Sequence, residues 1–213
     1  PAERAALYAG AGDDFIVLAD HWVAGAPADL PRPCPLLVLD GVELDGHDVT
    51  GAYFHVVAIG CRDGIERAAG LEPAMAAARS QGAVLVLAQP LWTGNSAEDA
   101  LRHGFHGVEA YNNVARWLNG KENGAFHWER MLARDAAVFG AAVDDAHINP
   151  EHPPWNGGWV HVDAPERTPE ALLAAIGAGR FVSSCGPAIE TLEARGREVT
   201  VTCSPGGWTP CTT

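Results

Sequence analysis

Residues 15–21 have the sequence FIVLADH, a short apolar run that ends in Asp20 and His21. The run is rich in β-branched and aromatic side chains and is shorter than a typical buried helix, so it predicts a buried strand. A charged residue and an imidazole directly follow this strand. The same arrangement recurs along the chain, and it determines both the fold and the site that we predict.

Further apolar runs with β-branched residues predict strands at residues 36–43 (LLVLDGVE), 55–60 (HVVAIG), 83–89 (AVLVLAQ), 107–111 (GVEAY), 138–143, 158–163 and 181–184. Ala-rich stretches between them predict helices at residues 1–10, 68–81, 96–103, 112–119, 122–135 and 168–177. Strands that alternate with helices of about 10–15 residues indicate βαβ units and a parallel sheet. Six or seven such units favour an α/β barrel. An open doubly wound sheet remains the alternative, because periodicity alone does not show closure.

The pattern changes after Pro187. Residues 189–204 (IETLEARGREVTVTCS) alternate apolar and polar side chains around Gly196, which predicts an antiparallel hairpin. We therefore predict one domain over residues 1–187 and a C-terminal β extension over residues 188–213. The last eight residues, GGWTPCTT, predict neither a strand nor a helix.

The composition is that of an ordinary globular protein, with 47% hydrophobic and 19% charged residues in a chain of 213. A net charge of −13 disfavours binding to nucleic acid, although bound cations can still admit a small phosphorylated substrate. Five cysteines without C-x-x-C spacing favour free thiols. With no signal peptide and no membrane-spanning run, the sequence predicts a cytoplasmic protein that does not bind membranes. It gives no indication of the oligomeric state.

Metal-capable side chains lie at or near the ends of several predicted strands: His21, Glu43, His55, Asp145 and His147. In parallel α/β barrels the carboxyl ends of the strands face one shared mouth, so distant residues can converge there. Imidazole and carboxylate ligands suit zinc, manganese or iron. Asp145 and His147, two residues apart, would point to the same side of an extended chain.

Each candidate ligand also has a structural interpretation. Asp20 and His21 would suit a helix cap beside a surface histidine, and His55, which opens its predicted strand, would suit a hydrogen-bonded core histidine. Glu43 favours a functional role, because an unpaired buried carboxylate is costly. Only the joint occurrence of these residues predicts a metal site.

The chain resembles the PHP (polymerase and histidinol phosphatase) superfamily, especially its CehA/McbA-like branch, which includes carbaryl hydrolases. The matching segments follow the family's order and cover most of residues 1–204: DDFIVLADHW, GVELDG followed by HVVAIG, LVLAQPLW, GVEAYNN, AAVDDAHI and GWVHVDAPERTPEALLAAIGAGRFVSSCGP. The resemblance implies a distorted (β/α)7 barrel with two or three divalent metal ions at its mouth. Five residues are implied as metal ligands: His21, Glu43 (as a bridging carboxylate), His55, Asp145 and His147.

The resemblance further implies that water activated between the metals attacks a phosphate ester, and no side chain is assigned as the catalytic group. Gln89, Glu109 and Ser184 are expected to contact the substrate or to orient a ligand, and Asp20 is expected to orient its neighbour. Two cations, Lys121 and Arg180, are candidates for contact with phosphate.

Two features depart from the family pattern. Its His-x-His motif is absent and would lie before Pro1, so we expect that an N-terminal segment with the first strand is missing. Gln89 stands where the family usually has histidine, and an amide oxygen is the weaker ligand, so we expect a weakened metal position. The leading hypothesis is a phosphoesterase acting on a small phosphorylated molecule. The alternatives are a carboxyl-ester or carbamate hydrolase with the same metal centre, and a metal-poor domain without activity.

Overall fold

The structure is a computed structural model that describes residues 2–24, 34, 36–135, 137–149, 155–187 and 189–204. The described strands are β1 (Phe15–Val17), β2 (Leu37–Leu39), β3 (Gly41–His47), β4 (Tyr53–Ile59), β5 (Val84–Ala88), β6 (Gly107–Asn112), β7 (Phe139–Val143), β8 (Trp159–Val162), β9 (Phe181–Ser184), β10 (Ile189–Arg195) and β11 (Glu198–Cys203). The described helices are α1 (Ala2–Ala11), α2 (Leu71–Ser80), α3 (Pro90–Thr93), α4 (Ala97–Ala100), α5 (Asn113–Asn119), α6 (Ala125–Leu132) and α7 (Pro169–Gly177), with a 3₁₀ turn at Arg67–Ala69. The mixed α/β class that the sequence predicts is confirmed.

The central sheet has five strands in the order β3-β4-β5-β6-β7. The pairs β5–β6 and β6–β7 are parallel, as predicted, but β4 is antiparallel to both β3 and β5. The expectation of a wholly parallel sheet is therefore wrong. Its failure has a local cause, because a tight turn joins β3 to β4 and such a turn can only join antiparallel strands. Asp48 stabilises this turn by accepting hydrogen bonds from the backbone of Thr50 and Ala52.

Three two-stranded sheets accompany the central one. β1 pairs with β2 in parallel, while β8–β9 and β10–β11 are antiparallel. The edge of β7 is joined to β9 by a side chain, since Ser183 Oγ donates to the carbonyl of Gly140 and accepts from the amide of Ala142. Within the described residues, the strands pair into four separate sheets. Closure of these sheets into a barrel stays a prediction.

Two predicted strand boundaries are corrected. The predicted strand over residues 36–43 is divided at Asp40 into β2 and β3, and β3 then continues to His47. Glu43 consequently lies inside a strand and not at its end. β4 begins at Tyr53, so His55 is its third residue and not its first. Both extensions follow from the hairpin, which pairs His47 with Tyr53 and so lengthens the two strands together.

The core is built on both faces of the central sheet. Leu44, Phe54 and Leu85 are fully buried on one face, where Leu71 and Met75 of α2 pack against the sheet. On the other face, the residues that pack together are Val84, Val86, Phe139, Ala141, Leu172 and Ile176. Because both faces are covered, every residue of β5 is buried.

The predicted C-terminal hairpin is confirmed as β10–β11, in which Leu192 pairs with Val201 and Ala194 with Val199. The domain boundary at residue 187 stays a prediction, and the last nine residues of the chain, 205–213, lie outside the described residues. None of the described helices has the length and apolar character needed to cross a membrane.

Candidate metal centre

His21, Glu43 and His55 come together into one cluster. Each offers a ligand atom, and these atoms lie within 4.8 Å of one another. The Nδ1 atom of His55 is 2.5 Å from Glu43 Oε1, and the Nε2 atom of His21 is 3.5 Å from Glu43 Oε2. The two imidazole rings are perpendicular, with centroids 5.2 Å apart. Three of the five ligands predicted from the sequence therefore lie close together in the structure.

The backbone explains why these three residues meet. The chain after β1 runs beside β3, where the Glu43 amide donates to the carbonyl of Asp20 and the Trp22 amide donates to the carbonyl of Glu43. These two bonds fix His21 beside Glu43, and the two residues form an isolated parallel bridge. On β4, His55 pairs with Asp45, two residues beyond Glu43. Residues two apart on a strand share a face, so His55 is the diagonal neighbour of Glu43.

Asp45 holds His21 in place through a hydrogen bond, a role that was not predicted from the sequence. Its Oδ1 atom lies 3.0 Å from His21 Nδ1 and accepts from Trp22 Nε1 at 2.8 Å. Its Oδ2 atom accepts from the Tyr53 hydroxyl at 3.0 Å and from Arg67 Nη2 at 3.2 Å. A carboxylate on one imidazole nitrogen leaves the other nitrogen directed at a metal, which here is the nitrogen facing Glu43.

The electrostatics of Asp45 agree with this role. Burial by itself raises the pKa of Asp45, but the hydrogen bonds from Tyr53 and Trp22 outweigh it and hold the pKa below its ordinary value. Asp45 is therefore ionised at neutral pH and able to orient His21. One sequence signal pointed to it: residues 43–45 (ELD) place two carboxylates on one face of a strand.

A second group of acidic side chains borders the cluster. Glu109 is buried, and its Oε2 atom accepts from the Gln89 amide at 2.8 Å and from Asn112 Nδ2 at 2.9 Å. Asn112 Nδ2 also donates to Asp145 Oδ2 at 3.2 Å. Burial raises the pKa of Glu109, and repulsion from Asp145 adds to that shift. Burial, followed by repulsion from Glu43, raises the pKa of Asp145. The carboxylates of Glu43, Glu109 and Asp145 repel one another, and a bound cation would relieve the repulsion.

Gln89 lies against the cluster, at the position expected from the sequence. Its Nε2 atom is 3.2 Å from His55 Nδ1 and 3.5 Å from Glu43 Oε1. Its backbone is left-handed, with φ of 37°, and Pro90 begins α3 directly after it. This geometry places the Gln89 amide group beside His55 and Glu43, where a further ligand of the same ion would lie.

Asp145 and His147 do not lie on a regular extended strand, because Asp145 has a left-handed φ of 53°. The two side chains are still close enough to interact, since His147 opposes the rise in the pKa of Asp145. His147 is exposed, and its Nδ1 atom lies 2.9 Å from the backbone carbonyl of Asp145. Its imidazole is outside the three-residue cluster. A role for His147 as a ligand stays a prediction.

The remaining predicted site residues have the following surroundings. Asp20 is exposed and its Oδ1 atom lies 3.9 Å from Arg4 Nη1. Ser184 Oγ donates to the carbonyl of Pro187 at 2.5 Å and accepts from the amide of Gly186. Ser184 thus secures the turn after β9, and its expected place at the site's rim stays a prediction.

Backbone strain is concentrated around the cluster. Five non-glycine residues of the described chain have a positive φ: Trp22, Gln89, Asp145, Ile148 and Asn156. Trp22 follows the candidate ligand His21, Gln89 contacts His55, and Asp145 shares the Asn112 amide donor with Glu109. Such conformations are costly for non-glycine residues and cluster at functional sites.

The donor set fits a divalent cation. Two imidazole nitrogens and one carboxylate converge, which is the three-ligand arrangement of many catalytic metal sites. Asp45 supplies the supporting carboxylate, and the repulsion between Glu109, Asp145 and Glu43 favours a cation nearby. The residues present are thus sufficient to hold at least one such ion.

Comparison with known proteins gives a likeness of fold. No family model matches the chain, and no curated protein matches it. The structure is similar to that of a two-domain protein from Bacteroides vulgatus that contains a predicted PHP-like metal-dependent phosphoesterase. The TM-score is 0.60 at 17% identity, over 94% of this chain and 69% of that one. The chain therefore has the fold of a PHP-like protein. The CehA/McbA-like branch stays a prediction.

Proposed function

We propose that the protein is a metal-dependent hydrolase that cleaves phosphate esters of small molecules. The observation that carries the proposal is the convergence of donor atoms from His21, Glu43 and His55 within 4.8 Å, beside the buried carboxylate of Glu109 and the partly buried carboxylate of Asp145. The fold shared with a PHP-like protein supports it. Closure of the strands into a (β/α)7 barrel and a cytoplasmic location belong to the same proposal.

The chain's own residues have distinct roles in this proposal. His21 and His55 supply neutral nitrogens, Glu43 supplies a carboxylate, and Asp45 orients His21. A bound zinc, manganese or iron ion would supply a nucleophilic water at neutral pH and withdraw charge from the ester oxygen. Hydrolysis then forms a bond from phosphorus to the water oxygen and breaks the bond to the alcohol. The alcohol takes up one proton of the water, and the phosphate product keeps the other.

The number of ions is expected to be lower than the family resemblance implies. Glu109 and Asp145 lie near Glu43, but the described residues gather three ligand atoms only at His21, Glu43 and His55, and Gln89 offers only an amide. We therefore propose one firmly bound ion at the three-residue cluster and a weaker second position.

Two alternative functions each have one observation in their favour. A carboxyl-ester or carbamate hydrolase is favoured by the apolar walls of the cavity beside the cluster. A metal-poor domain without activity is favoured by Gln89, which offers only an amide, and by the place of His147 outside the three-residue cluster.

A metal-and-substrate assay separates the three functions. The full chain is purified without chelator, its metal content is measured by mass spectrometry, and it is assayed with manganese, zinc or iron against p-nitrophenyl phosphate, bis-p-nitrophenyl phosphate and p-nitrophenyl acetate. We expect at least one ion per chain and phosphate-ester turnover that is lost in Glu43→Gln. Turnover of acetate alone would establish the carboxyl-ester alternative. Less than one ion and no turnover would establish the metal-poor domain.

A further inference from the structure

A cavity of about 830 Å³ opens beside the acidic residues of the metal centre. Glu43, Glu109 and Asp145 line one end of it. Its walls include the apolar side chains Val57, Val86, Phe139, Leu172, Ile176 and Phe181, and further carboxylates line it at Asp13, Asp14, Asp20, Asp144 and Glu166. Volumes of about 300–1,000 Å³ are typical of pockets that enclose a small organic ligand. The cavity thus combines apolar walls with a large excess of carboxylates, so an anionic ligand needs a positively charged partner there.

Two positively charged side chains, Arg4 and Arg167, line the described part of this cavity. Arg167 donates to the backbone carbonyl of Asp14, before β1 begins. Arg4 lies near Asp20, after β1 ends. Arg4 also donates to the carbonyl of His147, two residues after Asp145, whereas the Arg167 contact is at the start of β1. Arg4 is therefore the cation at the end of the cavity that holds the acidic residues.

The guanidinium of Arg4 has donors available for a ligand. Its Nη2 atom donates to the carbonyl of His147 at 3.1 Å, and its Nη1 atom is 3.9 Å from Asp20 Oδ1, beyond hydrogen-bond distance. A guanidinium has five N–H donors, so most of those of Arg4 lack a hydrogen-bond partner among the described residues. The bond to the His147 carbonyl uses one N–H group of Nη2 and holds the guanidinium in place. Other neighbouring N–H groups of the planar guanidinium are still able to bind phosphate in a bidentate manner.

Other positively charged groups are less well placed. Arg67 is bonded to Asp45, which is on the far side of the His21 ring from Glu43. Lys121 and Arg180, the candidates from the sequence, are not among the residues that line the cavity. An anionic substrate that approaches Glu43, Glu109 and Asp145 needs a positive partner on the protein, and Arg4 is the one at that end.

We propose that Arg4 binds the phosphoryl group of the substrate and that the apolar cavity holds its alcohol part. The inference rests on the proposed function and specifies its substrate class: a phosphate monoester of an aromatic or aliphatic alcohol. The phosphoryl oxygens lie between Arg4 and the metal centre, and the ester's carbon skeleton extends along Val86 and Phe139.

Binding of non-hydrolysable ligands tests the proposal apart from turnover. The manganese-loaded protein is titrated calorimetrically with inorganic phosphate, methylphosphonate and phenylphosphonate. Arg4→Gln is expected to weaken phosphate binding by about 10-fold or more, which is the effect of losing a charge-assisted hydrogen bond. Arg4→Lys keeps the charge but not the fork, so its loss should be intermediate. Arg62→Gln is the matched control, because Arg62 is exposed, bonds to Asp40 and does not line the cavity.

The outcomes are distinct. Phosphate binding that is equal in wild type and Arg4→Gln, with both proteins folded by thermal melting, would overturn the role of Arg4. Phenylphosphonate should bind at least about 10-fold more tightly than methylphosphonate, because burial of several apolar carbons is favourable; equal affinities would overturn the apolar alcohol part. A wild type that retains no metal contradicts the proposed function. The titration without metal still tests Arg4, since a loss in Arg4→Gln alone supports the proposal and equal binding overturns it.

Discussion

Asp45 Oδ1 lies 3.0 Å from His21 Nδ1, on the side of the imidazole opposite to the nitrogen that faces Glu43. The same carboxylate accepts hydrogen bonds from Trp22, Tyr53 and Arg67, so its position is fixed from four directions. A histidine held in this way presents one nitrogen to a metal ion at little entropic cost. The relationship therefore connects the hairpin β3–β4 to the metal centre.

Removal of the Asp45 charge tests this connection. Asp45→Asn is expected to weaken metal binding by about 10–100-fold while the chain stays folded, since supporting carboxylates typically have an effect of this size. Competition with a chelator of known affinity measures the change. Asp63→Asn, at an exposed carboxylate, is the control and should bind metal like the wild type. Equal affinity in Asp45→Asn and wild type would show that Asp45 only stabilises the hairpin.

Replacement of Gln89 tests the weakened metal position. Gln89→His should raise metal affinity by about 10-fold, because imidazole is a better ligand than an amide and residue 89 already lies beside His55 and Glu43. Histidine also tolerates a left-handed backbone better than most residues. Gln81→His is the control, since Gln81 is exposed and bonds to Arg62 and Asp63. Unchanged or lower affinity in Gln89→His would contradict this interpretation.

The two histidines His55 and His147 are expected to behave differently. His55→Ala should reduce metal affinity by about 100-fold or more, because it removes a direct donor of the cluster. His147→Ala should change it less than about threefold, since that imidazole is exposed and outside the cluster. Calorimetric titration with manganese compares the two variants. Equally large losses would show that His147 binds the ion after a rearrangement of its loop.

The Asp48 network should make stability depend on pH. Asp48 is buried and accepts from Thr50, Arg102 and, at 3.1 Å, the His103 ring. Burial by itself raises the pKa of Asp48, but these bonds outweigh it and hold the pKa well below its ordinary value. The stabilisation is therefore complete above the unfolded pKa of about 4 and is lost as the pH falls further, towards the folded pKa.

Urea unfolding at pH 7, 5 and 3 measures this dependence. Asp48→Asn should lower the free energy of unfolding by about 2 kcal/mol at pH 7, because it leaves Arg102 without its buried partner. The difference from wild type should shrink at pH 3. Glu98→Gln, at a nearby exposed carboxylate, should have no effect at any of these pH values. A difference that stays constant across the three pH values would contradict the ionic origin of the stabilisation.

The sequence predicted the strands better than their directions. Apolar runs such as residues 83–89 correspond to buried strands, but periodicity contains no information on whether neighbours run parallel or antiparallel. The direction of β4 is determined by the turn at residues 48–52, where Asp48 and Gly51 (φ of 87°) were overlooked as turn signals.

The site was predictable where local geometry is simple. His21, Glu43 and His55 meet because strand pairing is regular there. Asp145 and His147 do not lie on a regular extended strand, because Asp145 takes a left-handed conformation, which we did not predict although aspartate adopts it more readily than most residues. The roles of Asp45 and Arg4 depend on contacts between distant segments, such as the bond from Arg4 to His147 at a sequence separation of 143, which no local pattern shows.

A crystal structure with bound manganese tests the central claim most directly. Crystals of the full chain are soaked in manganese, and anomalous diffraction at its absorption edge locates the ion. We predict a peak bound directly by His21 Nε2, a Glu43 oxygen and a His55 nitrogen, with metal–ligand distances of about 2.0–2.3 Å. No peak among these three residues, or a peak bound only by other side chains, would contradict the assignment of this cluster as the metal centre.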